Sequence, residues 1–458
     1  MKNVNDIPKG LVKKLKIARE IVLNEKDTIR LISHYDADGI CAAGILCHTL
    51  LRQGLKFHVT LTRSLKDEFV DILKKEDYPV TIFCDMGSGH LDALKEFKNK
   101  VIILDHHTAQ SNSDEPLLIN PHFYGMDGTY DICGSSLAFM FACVINEKNW
   151  DLSALALAGI IGDKQHLDGL SGYNAHLFEM AKDKGIVDER KMLKFSSNLV
   201  KNALLEDLDP FIKGMTGRED RILEFIRNMK LDSDIKFEDL DEEQMRLLLS
   251  AIIIRLLAQK VRPEIAEGVI TKKYWIWKMN LYASDLSNFI NSCGRMDNMG
   301  TGLALCLGEE MALKKAIKLR ATYKDELRFG LLKLEEEGAH DMQNIQFFYN
   351  DNSSLAGAYA GLGMMYLFNS EKPTFALSVE EEKTKVSCRG TKYLVSKGLD
   401  LARACRDSAN EVGGRGGGHP VASGATIPKG KEEAFLKHVD EIVGKQLQGA
   451  DDTPGNSV

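Results

Sequence analysis

The sequence lacks the features that would mark a membrane, secreted or zinc-ribbon protein. Its 458 residues contain no apolar run near the ~20 residues of a membrane helix, and its N-terminus does not resemble a signal peptide. The nine cysteines include no C-x-x-C pair and stand mostly among apolar neighbours, as reduced thiols of an intracellular protein do. We therefore expect a cytoplasmic protein with no membrane partner and no disulfide framework.

The sequence also contains fewer basic than acidic residues, 59 against 66. The formal net charge of −7 argues against avid nonspecific binding to nucleic acid. That argument is weak for a protein whose site is itself a carboxylate cluster, because bound metal ions would neutralise the cluster. The composition, with 44% hydrophobic and 27% charged residues, is typical of a globular protein, and the length allows two or three domains.

The first third of the chain alternates between short apolar runs and helical periodicity. This alternation predicts a parallel sheet covered on both faces, with functional groups at the carboxyl ends of its strands. The predicted strands are Thr28–Ser33, Phe57–Thr62, Val80–Cys84 and Val101–Leu104, and the predicted helices are Ile40–Leu51, Ser88–Phe97 and Ser135–Ile145.

The sequence predicts an α/β protein with three regions and a tail. We expect a parallel-sheet catalytic domain over 1–190, a helical linking or inserted region over 191–266, and a smaller α/β C-terminal substrate-binding domain over 267–448. The small, polar residues 449–458 are expected to form a disordered tail. Further strand-like runs are Trp275–Leu281, Phe375–Val379 and Thr384–Cys388.

Acidic and imidazole side chains follow three of these strands and one helical run. In the segment 34–39, alternating residues point the same way as the chain leaves the strand, and a glycine then allows a tight turn. A lone acid after a strand usually caps the next helix, so the prediction rests on the whole set. Its members are His34, Asp36, Asp38, Asp85, Asp105, His106, His107 and Asp163.

The chemistry of this set favours a site for two metal ions. Parallel strands end at one edge of the sheet, where several carboxylates would repel one another without cations. A mixture of imidazole and carboxylate ligands suits manganese better than a calcium cage. Two such ions ~3.5–4 Å apart are the usual device of phosphoryl chemistry. We therefore expect two divalent metal ions, with manganese favoured and magnesium as the alternative.

A glycine-rich segment marks a second candidate site. Five glycines within 413–418 would let the backbone approach a ligand and present N–H groups to a phosphate. Arg415 and His419 add donors to this loop, although the segment could also be a linker without a ligand. The surrounding stretch, 383–420, holds eight Lys or Arg against three Asp or Glu, which marks the face expected to bind a sugar-phosphate chain.

In this order the segments resemble the DHH phosphoesterases, which are named for the Asp-His-His triplet found here at 105–107. The glycine-rich stretch 413–420 looks like the signature of the family's associated C-terminal domain. The segments 291–295 and 302–305 are similar to RecJ-like archaeal members. The resemblance implies a metal-dependent exonuclease that acts on single-stranded DNA or RNA in replication or repair.

The resemblance also implies a role for each candidate residue. Six ligands would bind the two metals, and one of the six would bind both. His107 would face the scissile phosphate, and Asp105 would orient a histidine. The implied ligands are His34 and Asp36 for one metal, Asp38, His106 and Asp163 for the other, and Asp85 for both. The expected substrate contacts are Ser387, Arg389, Arg415, Gly416, Gly417, Gly418 and His419.

Two other functions stay open at this point. An enzyme of the same chemistry could cleave short oligonucleotides or cyclic dinucleotides, although the extra helical region at 191–266 favours a longer strand. The chain could also be a replisome-associated scaffold, like the eukaryotic relative that accompanies the replicative helicase. The filled ligand positions argue against a purely structural role, yet the acidic helical region could still dock a replisome or repair protein.

Two local patterns are ambiguous. The segment 133–136 begins a predicted helix and could be either a simple N-cap or an anion site. Four aromatic residues could stack single-stranded bases, although an aromatic residue of an α/β domain is usually in the core. They are Phe347, Phe348, Tyr349 and Tyr359.

Overall fold

The structure, a computed structural model, describes residues 7–167 and 169–448, which form two compact units. Unit 1 comprises the described residues up to Lys191 together with Lys272–Tyr323, and unit 2 comprises Met192–Thr271 together with the described residues from Lys324 onward. The consecutive domain limits given above stay a prediction, because compactness alone does not define an evolutionary domain. The tail predicted at 449–458 lies outside the described residues.

Unit 1 contains a five-stranded sheet in the order β2-β1-β3-β4-β5, and every neighbouring pair is parallel. This confirms the predicted parallel sheet. The strands are β1 (Ile29–His34), β2 (Phe57–Thr62), β3 (Val80–Cys84), β4 (Lys100–Leu104) and β5 (Leu117–Ile119). The helices up to Lys191 are α1 (Lys9–Leu23), α2 (Ala37–Arg52), α3 (Asp67–Leu73), α4 (Leu91–Leu94), α5 (Gly134–Ile145), α6 (Ser153–Gly162) and α7 (Gly172–Asp183).

The central strands are apolar on both faces because each face carries its own core. Along β3, Ile82 and Cys84 belong to one hydrophobic cluster and Phe83 belongs to another. Side chains alternate along a strand, so the two clusters lie on opposite faces of the sheet. The larger cluster includes α1, α2, α5 and α6, and the smaller one includes α3 and α4.

Two predicted elements of unit 1 differ from the structure. The helix expected over Ser88–Phe97 is a 3-10 turn followed by the short α4. The continuous strand expected over Trp275–Leu281 was wrong, because the chain turns over residues 277–280. The resulting small sheet has the order β6-β7-β8. Its strands are β6 (Val187–Leu193), β7 (Ile270–Ile276) and β8 (Leu281–Tyr282), and the helices that follow are α12 (Ala283–Arg295) and α13 (Met299–Cys306).

Unit 2 combines helices with a six-stranded mixed sheet in the order β13-β14-β12-β11-β10-β9. Only the β10–β11 pair of this sheet is parallel. The strands are β9 (His340–Asp341), β10 (Gln346–Tyr349), β11 (Thr374–Val379), β12 (Lys383–Arg389), β13 (Arg415–Gly418) and β14 (Ala422–Pro428). The helices are α8 (Val200–Glu206), α9 (Glu219–Asn228), α10 (Glu242–Ala258), α11 (Pro263–Glu267), α15 (Ala356–Tyr366), α16 (Lys392–Ser396), α17 (Leu401–Glu411) and α18 (Glu432–Gln448).

The longest helix, α14 (Glu310–Glu337), carries charged residues along its length and continues from unit 1 into unit 2. Within residues 7–167 and 169–448, no helix combines the length and the apolar character that crossing a bilayer requires.

The glycine-rich segment is not the loop that the sequence predicted. Its residues 415–418 form the edge strand β13, which pairs antiparallel to β14 with Arg415 opposite Thr426. A side chain at Gly416 would meet the carbonyl oxygen of Cys405 on α17. The glycines therefore allow a helix to pack directly on the backbone of this strand.

Helices α2, α5 and α6 pack closely because small residues line their contacts. A Cβ atom at Gly159 of α6 would lie 2.7 Å from Oδ1 of Asp38 on α2 and would also overlap Ser135 on α5. Neither neighbour is the free end of a long side chain. Close packing at Gly159 therefore fixes the position of Asp38.

We predict that Gly159→Ala lowers the free energy of unfolding by about 1–3 kcal/mol, because the added methyl group must displace Ser135 or Asp38. The matched control is Gly300→Ala in α13, where an added Cβ atom meets nothing within 4 Å. That substitution should stabilise the protein by roughly 0.5–1 kcal/mol through helix propensity. Denaturant unfolding of the two variants should therefore give shifts of opposite sign, and equal shifts would contradict the packing account.

Candidate metal centre

The strand register brings the ends of three strands to one level. Ser33 of β1 pairs with Cys84 of β3, and Cys84 pairs with Leu104 of β4. In each strand the next residue is a predicted ligand or the predicted orienting acid. Asp85 is one of these, and its backbone has a φ of 57°, a conformation that non-glycine residues adopt rarely and often at functional sites.

The first group of candidate ligands surrounds the imidazole of His34. Its Nδ1 atom lies 3.0 Å from Oδ2 of Asp36 and 3.4 Å from Oδ2 of Asp85. Asp36 also caps α2, since its Oδ1 accepts a hydrogen bond of 3.1 Å from the Gly39 N–H. The cap fixes one carboxylate oxygen and leaves the other directed at the histidine.

The second group surrounds the imidazole of His106. Its Nε2 atom lies 3.1 Å from Oδ1 of Asp85 and 3.9 Å from Oδ2 of both Asp38 and Asp163. On the other side of the ring, Nδ1 lies 2.6 Å from the carbonyl oxygen of Gly128. A carbonyl oxygen only accepts, so Nδ1 carries a proton. In the metal-free centre Nε2 is also protonated and donates to Asp85; loss of that proton would free the Nε2 lone pair for a cation, as in a metal-bound histidine.

The carboxylate of Asp38 is held by the N-terminus of α5. Its Oδ2 accepts a hydrogen bond of 2.6 Å from the Gly134 N–H, and its Oδ1 accepts one of 2.9 Å from the Ser135 N–H. Cys133 and Ser136 form a capping box at the same helix end. The segment 133–136 is thus both a cap and an anion site, and the anion is a side chain of the protein.

Asp105 positions His107. One carboxylate oxygen of Asp105 accepts a hydrogen bond of 2.8 Å from the Ser88 N–H, and the other lies 2.7 Å from Nδ1 of His107. The side chain of His107 is 39% exposed, whereas that of His106 is 2% exposed. His107 therefore lies at the open side of the cluster.

Sequence reasoning missed Gln165, which is buried beside Asp163. Its Nε2 donates hydrogen bonds of 2.8 Å to Oδ2 of Asp163 and to the carbonyl oxygen of Gly128, and its Oε1 accepts one of 2.7 Å from Asn174. Gln165 thus connects Asp163 with the carbonyl that orients His106. Nothing in the sequence distinguishes it from any other polar residue near a candidate ligand.

A tyrosine and two arginines near Asp36 were also missed. The guanidinium of Arg295 donates a hydrogen bond of 2.7 Å to the hydroxyl of Tyr35. Against the effect of burial, the charge of His34 and then that of Arg295 lower the pKa of Asp36. The guanidinium of Arg63 lies 4.7 Å from the centre of the Tyr35 ring. Positive charge therefore adjoins the acidic cluster beside the segment 34–39.

The crowded charges shift the pKa values of the candidate ligands. Burial, together with the carboxylates of Asp38 and Asp85, raises the pKa of Asp163 to about 7. Burial and the neighbouring Asp85 also raise the pKa of Asp38. Burial alone would lower the pKa of His34 and of His106, but the adjacent carboxylates raise both well above 6.5. Without a cation, protons on these groups thus compensate the acidic charge.

The remaining acids stay ionised. Burial opposes the charged form of Asp85, but hydrogen bonds from His106 and His34 hold its pKa below the usual value. Burial likewise opposes ionisation of Asp36, yet the charge of His34 and the hydrogen bond from it depress the pKa of that carboxyl strongly. The centre thus combines ionised carboxylates with groups that a cation could deprotonate.

The donor set fits divalent metal ions. Three trios of ligand atoms each lie within 4.8 Å of one another. Two of the trios reproduce the division that the resemblance implies, while the third places His107 with Asp85 and His106; the metal roles themselves stay a prediction. The trios are His34, Asp36 and Asp85; Asp38, His106 and Asp163; and Asp85, His106 and His107.

The predicted substrate contacts lie in unit 2, and the structure brings two of them together. Ser387 and Arg415 line an open cavity of about 300 Å³, together with the missed residues Ser353, Lys385 and Thr426. Lys385 and Ser387 alternate along β12, a spacing that could have indicated their common face.

The other predicted substrate contacts are not among the residues that line this cavity. Arg389 donates a hydrogen bond of 2.8 Å to the Cys388 carbonyl, and its guanidinium lies against Gly357 of α15. His419 follows β13, and its N–H donates a hydrogen bond to the Ala422 carbonyl. The remaining contacts, Gly416, Gly417 and Gly418, form the rest of the edge strand β13.

Comparison with known proteins assigns the family. The model of the DHH family N-terminal domain matches residues 28–160, and that of the DHHA1 domain matches residues 346–445. The uncharacterized protein MJ0831 of Methanocaldococcus jannaschii is 32% identical over 455 residues, which covers 96% of this chain and 99% of that protein. The chain belongs to the DHH phosphoesterase family.

Solved structures show the same fold as this DHH phosphoesterase. RecJ of Thermus thermophilus, in complex with Mn²⁺, gives a TM-score of 0.61 at 19% identity; the match covers 96% of this chain and 55% of that chain. CDC45 of Entamoeba histolytica gives a TM-score of 0.66 at 12% identity, covering 95% of this chain and 99% of that chain. The DHH phosphoesterase therefore has a RecJ-like fold.

We predict that metal binding to this DHH phosphoesterase releases protons and strengthens as the pH rises through about 7, the pKa of Asp163. A protonated Asp163 cannot bind a cation, and its protonated fraction falls as the pH rises. The folded, metal-free protein keeps this proton above the ordinary value of 3.8, so the same group lowers its stability as the pH rises between the two values.

Calorimetric titration with Mn²⁺ in buffers of different ionisation enthalpy measures the released protons. The Asp163→Asn variant, which has no titrating carboxyl at this position, should bind more weakly and release fewer protons. Equal affinity on both sides of pH 7 in the wild-type protein would contradict this prediction.

Proposed function

We propose that this protein is a two-metal phosphodiesterase that acts as an exonuclease on single-stranded DNA or RNA. The single observation that carries the proposal is the pair of ligand trios around His34 and His106, which Asp85 joins by contacting both imidazoles. Manganese is the favoured metal because the donor set mixes imidazole and carboxylate. RecJ of Thermus thermophilus has structures with Mn²⁺ and with Mg²⁺, so this likeness supports a divalent cation of either kind.

Several side chains of this protein would take part in the reaction. Asp38 is held rigidly by two backbone N–H groups, and His106 is held by the Gly128 carbonyl, so neither ligand needs to reorganise during the reaction. Divalent cations bound here would lower the pKa of a water molecule and neutralise charge on the scissile phosphate.

His107 is the candidate proton donor. Burial would lower the pKa of this imidazole, but the charge of Asp105, the hydrogen bond with it and the charge of Asp85 together raise that pKa above 6.5. A protonated and partly exposed imidazole, held at Nδ1 by Asp105, could donate a proton or a hydrogen bond to a phosphate oxygen. Asp105 then acts through His107 rather than on the substrate.

The cavity of unit 2 supports a polyanionic substrate. Arg415 and Lys385 bring positive charge to it, although the ammonium of Lys385 also pairs with Glu380 at 2.6 Å, while Ser353, Ser387 and Thr426 supply hydroxyl groups. Such a set recognises phosphate groups by charge and by hydrogen bonds. We place the protein in the cytoplasm and assign it to replication or repair as part of the same proposal.

Asp38→Ala and His106→Ala should each reduce the rate of phosphodiester hydrolysis more than about 100-fold, because each removes a ligand and not merely a neighbour of one. The matched control is Asp92→Ala, which removes a carboxylate that is 97% exposed and should leave the rate unchanged. The measurement uses end-labelled single strands with Mn²⁺ or Mg²⁺, and circular dichroism checks the fold. Cleavage by purified Asp38→Ala at the wild-type rate would refute the proposed function.

Arg415→Ala should raise KM for a long single strand by roughly tenfold and leave kcat nearly unchanged, because it removes a charged phosphate contact outside the metal centre. Arg403→Ala is the control, since Arg403 is an arginine of α17 whose side chain is 66% exposed.

Rates on a dinucleotide and on a long strand also separate the exonuclease from a phosphodiesterase for oligonucleotides or cyclic dinucleotides. Faster cleavage of the dinucleotide would favour that alternative.

A scaffold with residual nuclease activity is the second candidate, and the likeness to CDC45 favours it. The complete set of acidic and imidazole side chains favours the enzyme instead. The two roles are compatible, because helices α8 to α11 belong to unit 2 and the candidate ligands belong to unit 1. A replisome or repair protein captured through these helices, with the nuclease still active, would support both roles.

A further inference from the structure

The outer face of the small sheet β6-β7-β8 carries two of the three tryptophans of the chain. Side chains alternate along β7, so Tyr274 and Ile276 are buried in the core of unit 1 while Trp275 lies on the opposite face. Trp277 follows in the turn, and 53% of it is exposed. A tryptophan ring offers a large apolar surface and a polar N–H edge, which is why this side chain is enriched where proteins contact other molecules.

An arginine holds the two tryptophan rings together. The guanidinium of Arg190 on β6 lies 4.6 Å from the centre of the Trp275 ring and 5.4 Å from that of Trp277. The two indoles are nearly perpendicular, with an interplanar angle of 85°. Tyr282 of β8 adds a further ring, 4.9 Å from Trp275. The result is an ordered aromatic surface and not an isolated apolar side chain.

The charge around these rings is positive. Ile270–Lys278 contains three lysines and no acid, and β6 adds two basic and two acidic residues, which leaves an excess of three positive charges. Lys272 pairs with Glu189 at 3.1 Å, but among the described residues no carboxylate lies within ion-pair distance of Arg190 or Lys278. A surface that combines aromatic rings with an excess of cations is complementary to a strand whose bases stack and whose phosphates are negative.

We propose that Arg190, Trp275 and Trp277 form a stacking site for single-stranded nucleic acid, distinct from the candidate metal ligands. A base would stack on the exposed ring of Trp277, and Arg190 would face the adjoining phosphate. This inference rests on the proposed function, to which it adds a contact that a long strand makes and a dinucleotide does not. None of its residues belongs to a ligand trio or to the cavity of unit 2.

The test measures binding of a labelled oligothymidylate by fluorescence anisotropy, with EDTA present so that no metal-dependent cleavage occurs. Trp277→Ala should weaken binding about tenfold, and Trp277→Phe should restore most of the loss because it keeps a stacking ring. Arg190→Ala should weaken binding and lower the slope of log K against log salt by about one. Phe329→Ala, which removes a phenylalanine that is 75% exposed in unit 2, is the matched control and should bind as the wild type does.

The outcomes separate this site from the proposed function. Equal binding by wild type and Trp277→Ala overturns the stacking site, even if Mn²⁺-dependent cleavage is normal. The same result with loss of a copurifying protein would identify the surface as a protein interface and also overturns the proposal. Weakened binding in Trp277→Ala with unchanged cleavage of a dinucleotide supports it. Failure of the wild type to cleave any phosphodiester refutes the proposed function but leaves the binding comparison intact.

Discussion

Repulsion between carboxylates at one edge of a parallel sheet is the constraint on which the structure of unit 1 depends. Asp36, Asp38, Asp85 and Asp163 offer oxygens that surround two imidazoles within a few ångströms. The fold restrains them with a helix cap, a helix N-terminus, an unusual backbone conformation and the amide of Gln165. In the metal-free protein, protons on the imidazoles and on Asp163 reduce this repulsion, and divalent cations would replace those protons.

The parts of the fold that could be predicted are those in which burial requires a regular spacing of apolar residues in the sequence. The inner strands of the central sheet are buried on both faces, so the run Val80–Cys84 coincides with β3. The predicted strand Phe57–Thr62 coincides with β2, an edge strand that is only partly buried. The ends of these strands then located most candidate ligands. The run Trp275–Leu281 was wrongly predicted as one strand because its apolar side chains continue through a turn. The spacing of apolar residues does not show that the chain reverses there. Glycines carry no periodicity either, which explains why β13 was expected to be a loop.

Long-range contacts account for what the sequence could not show. Gln165 matters only because folding brings the Gly128 carbonyl to it, and Arg190 matters only because β6 lies beside β7. Two of the four aromatic residues considered as candidates for stacking bases, Phe348 and Tyr359, are buried, the usual place of an aromatic residue in an α/β domain. The aromatic residues on an outer face, Trp275 and Trp277, lie in a segment expected to be an ordinary strand. The net charge of the whole chain also gives no sign of the basic aromatic face on unit 1 or of the cavity that Lys385 and Arg415 line in unit 2.

The stoichiometry and coupling of bound manganese test the central claim most directly. Equilibrium dialysis above pH 7, followed by elemental analysis and electron paramagnetic resonance, counts the ions and detects exchange between them. The account predicts two Mn²⁺ per chain with the spectrum of a coupled pair, because ions ~3.5–4 Å apart interact magnetically. It also predicts loss of that coupling in Asp85→Ala. A single ion per chain, or two uncoupled ions in the wild type, would contradict it.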